Sequence, residues 1–242
     1  MSVLVLSDIH ANLTALEAVL ADAASFDEVW CLGDVVGYGP DPNDCVERIR
    51  ELPNLTCLRG NHDSAVTGQT EKSKFNPSAQ EALRWTESEL LARHLTFLKG
   101  LPTRTEQGEV TLAHGSPRDP VWEYIMDTYS ARINFKFFET ALCLVGHSHV
   151  PFFFSRSNSS EATLQEYVEP GKVMDLPEKG LMNPGSVGQP RDNDPRAAYA
   201  LLDLENRTWT LKRVAYDIEA VQARMREADL PATYIRRIVH GW

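Results

Sequence analysis

Seven side chains in this sequence offer the nitrogen and oxygen donors that a pair of transition-metal ions requires: Asp8, His10, Asp34, Asn61, His114, His147 and His149. They fall in five short motifs, Asp8-Ile9-His10, Gly33-Asp34, Gly60-Asn61-His62-Asp63, Ala113-His114-Gly115 and Gly146-His147-Ser148-His149, which use five of the chain's seven histidines. A donor set of imidazoles, carboxylates and one amide suits Mn, Fe, Zn or Ni better than an all-oxygen Mg shell would. Two divalent ions bring four positive charges, Asp8 and Asp34 return two, and neutral His and Asn ligands leave the centre cationic. A phosphate ester is drawn to such a centre. Two ions about 3.5–4 Å apart can share a hydroxide nucleophile and clamp the ester oxygens. The chemistry these residues point to is hydrolysis at phosphorus.

Spacing sharpens the assignment. Residues i and i+2 on extended backbone face the same way, so Asp8 and His10 can both reach one ion, and His147 and His149 repeat that spacing. Gly33 lets backbone approach closely and leaves Asp34 free at a strand end to bridge both ions. An amide oxygen ligates poorly unless the site is charge-rich and already organised. Asn61 is therefore expected as a neutral ligand, with His62 beside it left off the metals. Asp63 is expected to orient a histidine through its ring N–H. Each motif alone has an ordinary explanation, a turn, a surface histidine or a polar strand end. Together they lie just beyond the C-terminal ends of five predicted strands, where open α/β sheets place their sites. His94 and His240 fall in helical segments and are expected to be structural or exposed.

The elements that must position these residues are legible in outline. Residues 3–7 (VLVLS) form the continuous apolar run of a strand buried on both faces. Asn12 then suits a helix N-cap ahead of Leu13, Leu16, Val19 and Leu20 at helical spacing. Strands at 29–32 and 55–58 end at the second and third motifs, separated by a helix that Asp41-Pro42 opens and that runs to about Leu52. Strands joined by helices of this length imply a parallel sheet. Residues 64–104 carry no motif. Their two helical stretches, 78–93 and 94–99, suggest a cap or insertion within one domain spanning 1–242. Further strands are expected at 109–113, 141–146, 151–155, 164–168, 197–204 and 208–215, with Ser155–Ser160 as a polar hairpin tip. Asn183-Pro184-Gly185-Ser186 is a turn signal, and Asp217 to His240 reads as one helix interrupted near Pro231. The coarse picture is two sheets face to face with helices outside.

Bulk properties narrow the function classes. The 242 residues are 43% apolar, enough to fill a core. A net charge of −10 argues against capture of long DNA or RNA, which needs a basic face. Arg224, Arg226, Arg236 and Arg237 are expected on a solvated helix face. Cys31, Cys45, Cys57 and Cys143 form no CxxC pair and suggest buried thiols. The N-terminus enters a strand at once, without the charged and apolar regions of a signal peptide. No stretch approaches the ~20 apolar residues of a membrane span. A cytoplasmic, soluble protein without membrane partners is the expectation.

These motifs, in this order, resemble the calcineurin-like metallophosphoesterases over residues 3–150, and the Asn-Pro-Gly-Ser turn at 183–186 is similar to the bacterial members. The resemblance implies a four-layer αββα sandwich with a two-metal site at the strand ends. It implies that Asp8, His10, Asp34 and His149 hold one ion and that Asp34, Asn61, His114 and His147 hold the other, manganese first among the candidates. His62 corresponds to the family's general acid, protonating the leaving oxygen while a bridging hydroxide attacks in line. Protein Ser/Thr phosphatases and diadenosine tetraphosphatases of this type carry Asp-Arg-Gly after the second motif and Glu after Asn-His. Here Val35-Val36-Gly37 follows Asp34, and Asp63 ends the third motif. The chain is thus closer to the small bacterial phosphodiesterase-like branch, and a phosphodiesterase acting on a small or nucleotide-like ester is expected. A phosphomonoesterase or protein phosphatase is the alternative. A non-catalytic scaffold, as in the retromer subunit that resembles these enzymes, is a third, against which the intact His62 and full ligand set argue. Arg191 and Arg196 are candidates for a substrate phosphate, with Asp192 and Asp194 as competing local partners. Tyr38 is a candidate base-stacking platform or a loop-packing aromatic.

Overall fold

The computed structural model describes residues 1–157 and 162–242, so positions 158–160 of the expected hairpin tip lie outside the described residues. Strand β1 (Ser2–Leu6) shows how the core is organised. Alternate side chains leave a strand on opposite faces, and here both faces are apolar. Val3 and Val5 pack between two sheets, while Leu4 and Leu6 lie under helices. Helix α1 (Leu13–Asp22) follows, its start fixed by Asn12 Oδ1 accepting the Ala15 amide at 3.1 Å. The chain continues through β2 (Glu28–Cys31), α2 (Pro42–Arg50) and β3 (Leu55–Cys57). Asp41-Pro42 opens α2 as predicted, but the Asp41 carboxylate faces away from the helix. It receives the Arg224 guanidinium on both oxygens at 2.9 Å, so that arginine is paired rather than merely solvated.

Strands β1, β2 and β3 run parallel, as crossovers through helices require. Antiparallel β11 (Ala197–Asp203), β12 (Thr208–Val214) and β9 (Val173–Asp175) complete the first sheet, in the order β3-β2-β1-β11-β12-β9. The second sheet uses β4 (Arg104–Gln107), β5 (Val110–Ala113), β6 (Leu142–Leu144), β7 (Phe152–Arg156), β8 (Thr163–Glu166) and β10 (Lys179–Asn183). Its order is β4-β5-β6-β10-β7-β8, with β5, β6 and β10 parallel.

Trp30, Leu112, Leu144, Phe153, Met182 and Trp209 fill the space between the sheets. Burying each such side chain is worth about 1.5–3 kcal/mol. Helices α1, α2, α4 (Pro77–Glu89) and α5 (Ala92–Gly100) cover the outer face of the first sheet. Helix α6 (Thr128–Asn134) covers the second. This is the four-layer αββα sandwich. Helices α7 (Ile218–Glu227) and α8 (Ala232–His240), split at Pro231, pack on α4 and Tyr38.

Boundaries differ from expectation where no breaker marks them. The break expected at 93/94 falls at Leu90–Leu91, whose ψ angles of 126° and 144° are extended. His94 is thereby turned inward, 2.8 Å from Asn43 Oδ1 and 2.7 Å from Glu47 Oε2, and pins α5 to α2. The four cysteines are free and buried. No helix among the described residues is long and apolar enough to cross a membrane.

Candidate metal centre

Asp8, His10, Asp34, His147 and His149 share a backbone state, with φ between 49° and 63°. Left-handed backbone is uncommon outside glycine and is strained enough to persist only where packing imposes it. The extended-strand rule is therefore not what brings Asp8 beside His10, or what turns His147 and His149 into the centre. Their strands stop at Leu6 and Leu144, and a left-handed turn aims each pair inward. The turns are laced to one another. Asp8 N donates to Gly33 O and His10 N to Asp34 O, each at 3.0 Å, and His147 N donates to Asp8 Oδ2, also at 3.0 Å. Gly33 has φ +104°, and a Cβ there would lie 2.7 Å from Gly60 N. Only glycine lets the second and third motifs meet at this distance.

The donor atoms form two groups that share Asp34. His149 Nε2 lies 3.3 Å from Asp8 Oδ1 and 3.1 Å from His10 Nε2, which is 3.7 Å from Asp34 Oδ2. That same Asp34 oxygen lies 3.4 Å from His114 Nε2, which is 3.1 Å from Asn61 Oδ1. A His147 nitrogen comes within 4.8 Å of the Asp34 and His114 donors, and His62 comes equally close to His10 and Asp34.

The tautomers follow from the opposite ring nitrogens. Nδ1 of His10, His114 and His149 faces the carbonyl of Val36, Leu32 and Gln189 at 3.2, 2.9 and 2.6 Å. A carbonyl accepts only from an N–H, so the neutral His10 and His149 rings present a bare Nε2 lone pair to the centre, and His114 does so once its second proton is lost. Asp8 Oδ1 and His147 Nε2 are buried without a hydrogen-bond partner. Converging buried lone pairs repel unless a cation lies among them. Donors bound about 2.0–2.1 Å from an ion, as for Zn–N, lie roughly 3–3.5 Å apart, the spacing found here. The residues fit divalent transition-metal ions.

Charge is distributed unevenly. Burial pushes Asp8 up to about 6, with Asp34 adding to the rise and His114 opposing it. Burial acts on Asp34 in the same sense, but His114, His62 and His10 together outweigh it and hold that carboxyl well below the usual range. Burial opposes charge on His114, yet the neighbouring Asp34 lifts it to about 9. Burial drives His10, His147 and His149 well below the ordinary imidazole value and takes His62 down to about 4. The proton shared between His114 and Asp34 is the one a metal must displace.

Asp63 corrects the expectation made for it. Its oxygens accept backbone amides, Asp34 N at 2.8 Å, Gly60 N at 3.0 Å and Val36 N at 3.2 Å, and no histidine. It bears on His10 at one remove, by holding the amide of Val36, the residue whose carbonyl faces the ring. Asp63→Asn keeps the size but turns one acceptor into a donor. Apparent metal affinity is expected to fall about 10–100-fold with the fold retained, measured by competition with a chelating dye. Unchanged affinity would assign Asp63 to structure alone.

The segment 183–189 braces the centre rather than making a turn between paired strands. Asn183 Nδ2 donates to Gly146 O at 2.7 Å, Ser186 Oγ donates to Asp8 O at 2.8 Å, and Gln189 O faces His149. Ser7, not singled out in the sequence, donates to Asp8 Oδ2 at 2.7 Å. That fixes one carboxylate oxygen and leaves Oδ1 facing the histidines.

A cavity of about 250 Å³ opens over Asp34, Asn61, His147 and His149. Arg191 lines it; Arg196 does not. Arg196 is held by Asp194 at 2.7 Å on the surface, and Asp192 pairs with Arg213. Among the described residues those pairings leave Arg191 without a carboxylate; its guanidinium donates to Gln189 Oε1 at 3.0 Å and its Nε is buried without a partner. Tyr38 lines the cavity but is 7% exposed, with ring contacts to His10, His62 and Tyr234 at 4.6, 4.3 and 4.4 Å. It packs the site and offers no free face to a base. Tyr124, stacked on His147 at 3.8 Å, carried no sequence signal.

Comparison with known proteins agrees with this geometry. A family model described as the calcineurin-like phosphoesterase superfamily domain matches residues 1–207. An uncharacterized protein of Methanocaldococcus jannaschii is 39% identical, over 98% of this chain and 97% of its own. The crystal structure of a metallophosphoesterase from Sphaerobacter thermophilus aligns with a TM-score of 0.90 and 46% identity, covering 100% of this chain and 99% of that one. A symmetrical bis(5'-nucleosyl)-tetraphosphatase of Pectobacterium atrosepticum is 29% identical over 35% of this chain and 36% of its own.

Proposed function

The chain belongs to the calcineurin-like phosphoesterase superfamily and is a phosphoric ester hydrolase, and from that premise we propose that it is a two-metal phosphodiesterase acting on a small or nucleotide-like ester. The observation that carries this reading is the facing pair of bare nitrogens, His10 Nε2 and His149 Nε2, 3.1 Å apart beside Asp8 Oδ1. In this reading Asp8, His10, Asp34 and His149 hold one ion, and Asp34, Asn61, His114 and His147 the other, with manganese the first candidate ahead of Fe, Zn and Ni. When bound, the ions draw charge from the ester oxygens and ease the ionisation of water.

The chain's own groups do the rest. Arg191, which pairs with no carboxylate among the described residues, takes the phosphoryl oxygens in its guanidinium fork. His62 gives its proton to the leaving oxygen. Tyr124, lying over His147, narrows the entry of water. Diesters are favoured because Arg191 acts without Arg196, and one guanidinium matches the single charge of a diester better than a dianionic monoester.

The test compares kcat/KM for bis-p-nitrophenyl phosphate with that for a phosphoserine peptide, each with manganese and with chelator. Metal-dependent hydrolysis with a clear advantage for the diester is expected. An advantage for the peptide would overturn the substrate class, and full activity in chelator would overturn the metal chemistry.

A further inference from the structure

The stretch 64–104 supplies no metal donor, yet its short 3-10 turn, Lys72–Lys74, delivers Lys74, Phe75 and Asn76 to the cleft wall. From the other side comes Trp122, on the loop after His114. The rings form a path leading outward, His62 to Phe75 at 5.0 Å between centroids and Phe75 to Trp122 at 5.1 Å. At its end the Lys74 ammonium lies 5.5 Å over the Trp122 ring.

This wall is held in place from both sides. Asn76 Oδ1 accepts the Ala79 amide at 3.0 Å and the Tyr234 hydroxyl at 3.2 Å, so α8 fixes the corner that carries Lys74 and Phe75. Asp119 Oδ1 accepts the Trp122 amide at 3.2 Å. Gly115, directly after His114, lets that loop lie against the metal motif, since a Cβ there would meet Trp122 N at 3.0 Å. The motif that carries a proposed ligand thus also sets the position of Trp122. Lys72 pairs with Glu87 at 2.9 Å, whereas Lys74 is exposed and makes no ion pair among the described residues.

We propose that Lys74, Phe75 and Trp122 form an outer subsite for the nucleoside part of a nucleotide ester. The inference rests on the phosphodiesterase reading for where the reacting phosphate sits. A phosphoryl group beside His62 places its esterified alcohol against Phe75. A base beyond it stacks on the Trp122 face that Lys74 covers, and Lys74 turns to a second negative charge on the same ligand. Lys74, Phe75 and Trp122 line one cavity of about 250 Å³ together with His147 and His149.

The test measures dissociation constants by calorimetry on manganese-loaded protein for ribose 5-phosphate, 5'-AMP and adenosine 3',5'-bisphosphate. Wild type is expected to bind 5'-AMP roughly tenfold or more tighter than ribose 5-phosphate, the scale of base–aromatic stacking. Trp122→Leu should remove that preference, and Trp122→Phe should keep most of it. Lys74→Gln should remove only the further gain shown by the bisphosphate. Equal affinities in wild type, a preference that survives Trp122→Leu, or a bisphosphate gain that survives Lys74→Gln would overturn the subsite. Should Trp122→Leu lose its metal, Trp122→Phe and Lys74→Gln decide. Because binding is read without turnover, this binding pattern in a protein that hydrolyses no diester would contradict the phosphodiesterase reading and leave the subsite standing.

Discussion

Asp34→Asn is expected to lose both metal ions and about 10³-fold in kcat/KM on a diester. One oxygen of this carboxylate, Oδ2, faces both donor groups, 3.7 Å from His10 Nε2 and 3.4 Å from His114 Nε2. The other accepts the His62 amide at 2.9 Å and so holds the third motif in place. Asparagine preserves the shape and can still accept that amide. It removes the negative charge common to both groups. Asp8→Asn is the informative comparison, since the histidines that Asp8 Oδ1 faces among the described residues are His10 and His149. That variant should lose one ion and keep the other. Elemental analysis of the two proteins separates the cases. Full metal content and parental activity in Asp34→Asn would show that Asp34 bridges nothing.

His62→Asn is expected to cost about 10²–10⁴-fold on an ester with a ribose leaving group and far less on a p-nitrophenyl ester. The difference follows from the leaving oxygen. A ribose alkoxide departs poorly without a proton, whereas p-nitrophenolate needs little help. Burial holds His62 down to about 4 in the free site, so its proton is stabilised only when the phosphoryl charge arrives beside it. Metal content should be unchanged, because His62 is assigned off the ions although it lies close to His10 and Asp34. Equal losses on both esters would assign His62 to binding or structure. Loss of metal would make it a ligand.

The convergence of the candidate donors was legible in the sequence because metal chemistry restricts residue types and a parallel sheet restricts where they can stand. Five motifs at five strand ends left little freedom, and the apolar run 3–7 announced a strand buried on both faces. The backbone that performs the convergence was hidden. Nothing in Asp8-Ile9-His10 signals φ near 50°, because aspartate and histidine also sit comfortably in extended chain. The role of Asp63 was hidden for a related reason, since its partners are main-chain amides, which every residue has. Arg191 and Arg196 look equivalent in QPRDNDPR. Only the packing decides that Asp194 takes Arg196 and Arg213 takes Asp192, leaving Arg191 over the cleft. Phe75 and Trp122 are 47 positions apart in sequence and meet through the fold, so no local pattern joins them. Asn183 and Ser186 carried a signal that was underused. Asn-Pro-Gly-Ser marks a turn, but buried polar side chains in such a turn must hydrogen-bond to something, and here they hold the Gly146 and Asp8 carbonyls.

Anomalous diffraction at the manganese edge, from crystals of the metal-loaded protein, tests the central claim most directly. Two peaks are expected, one enclosed by Asp8, His10 and His149 and the other by Asn61, His114 and His147, with Asp34 in contact with both. A single peak, a peak coordinated by His62, or two sites that do not share Asp34 would contradict the account.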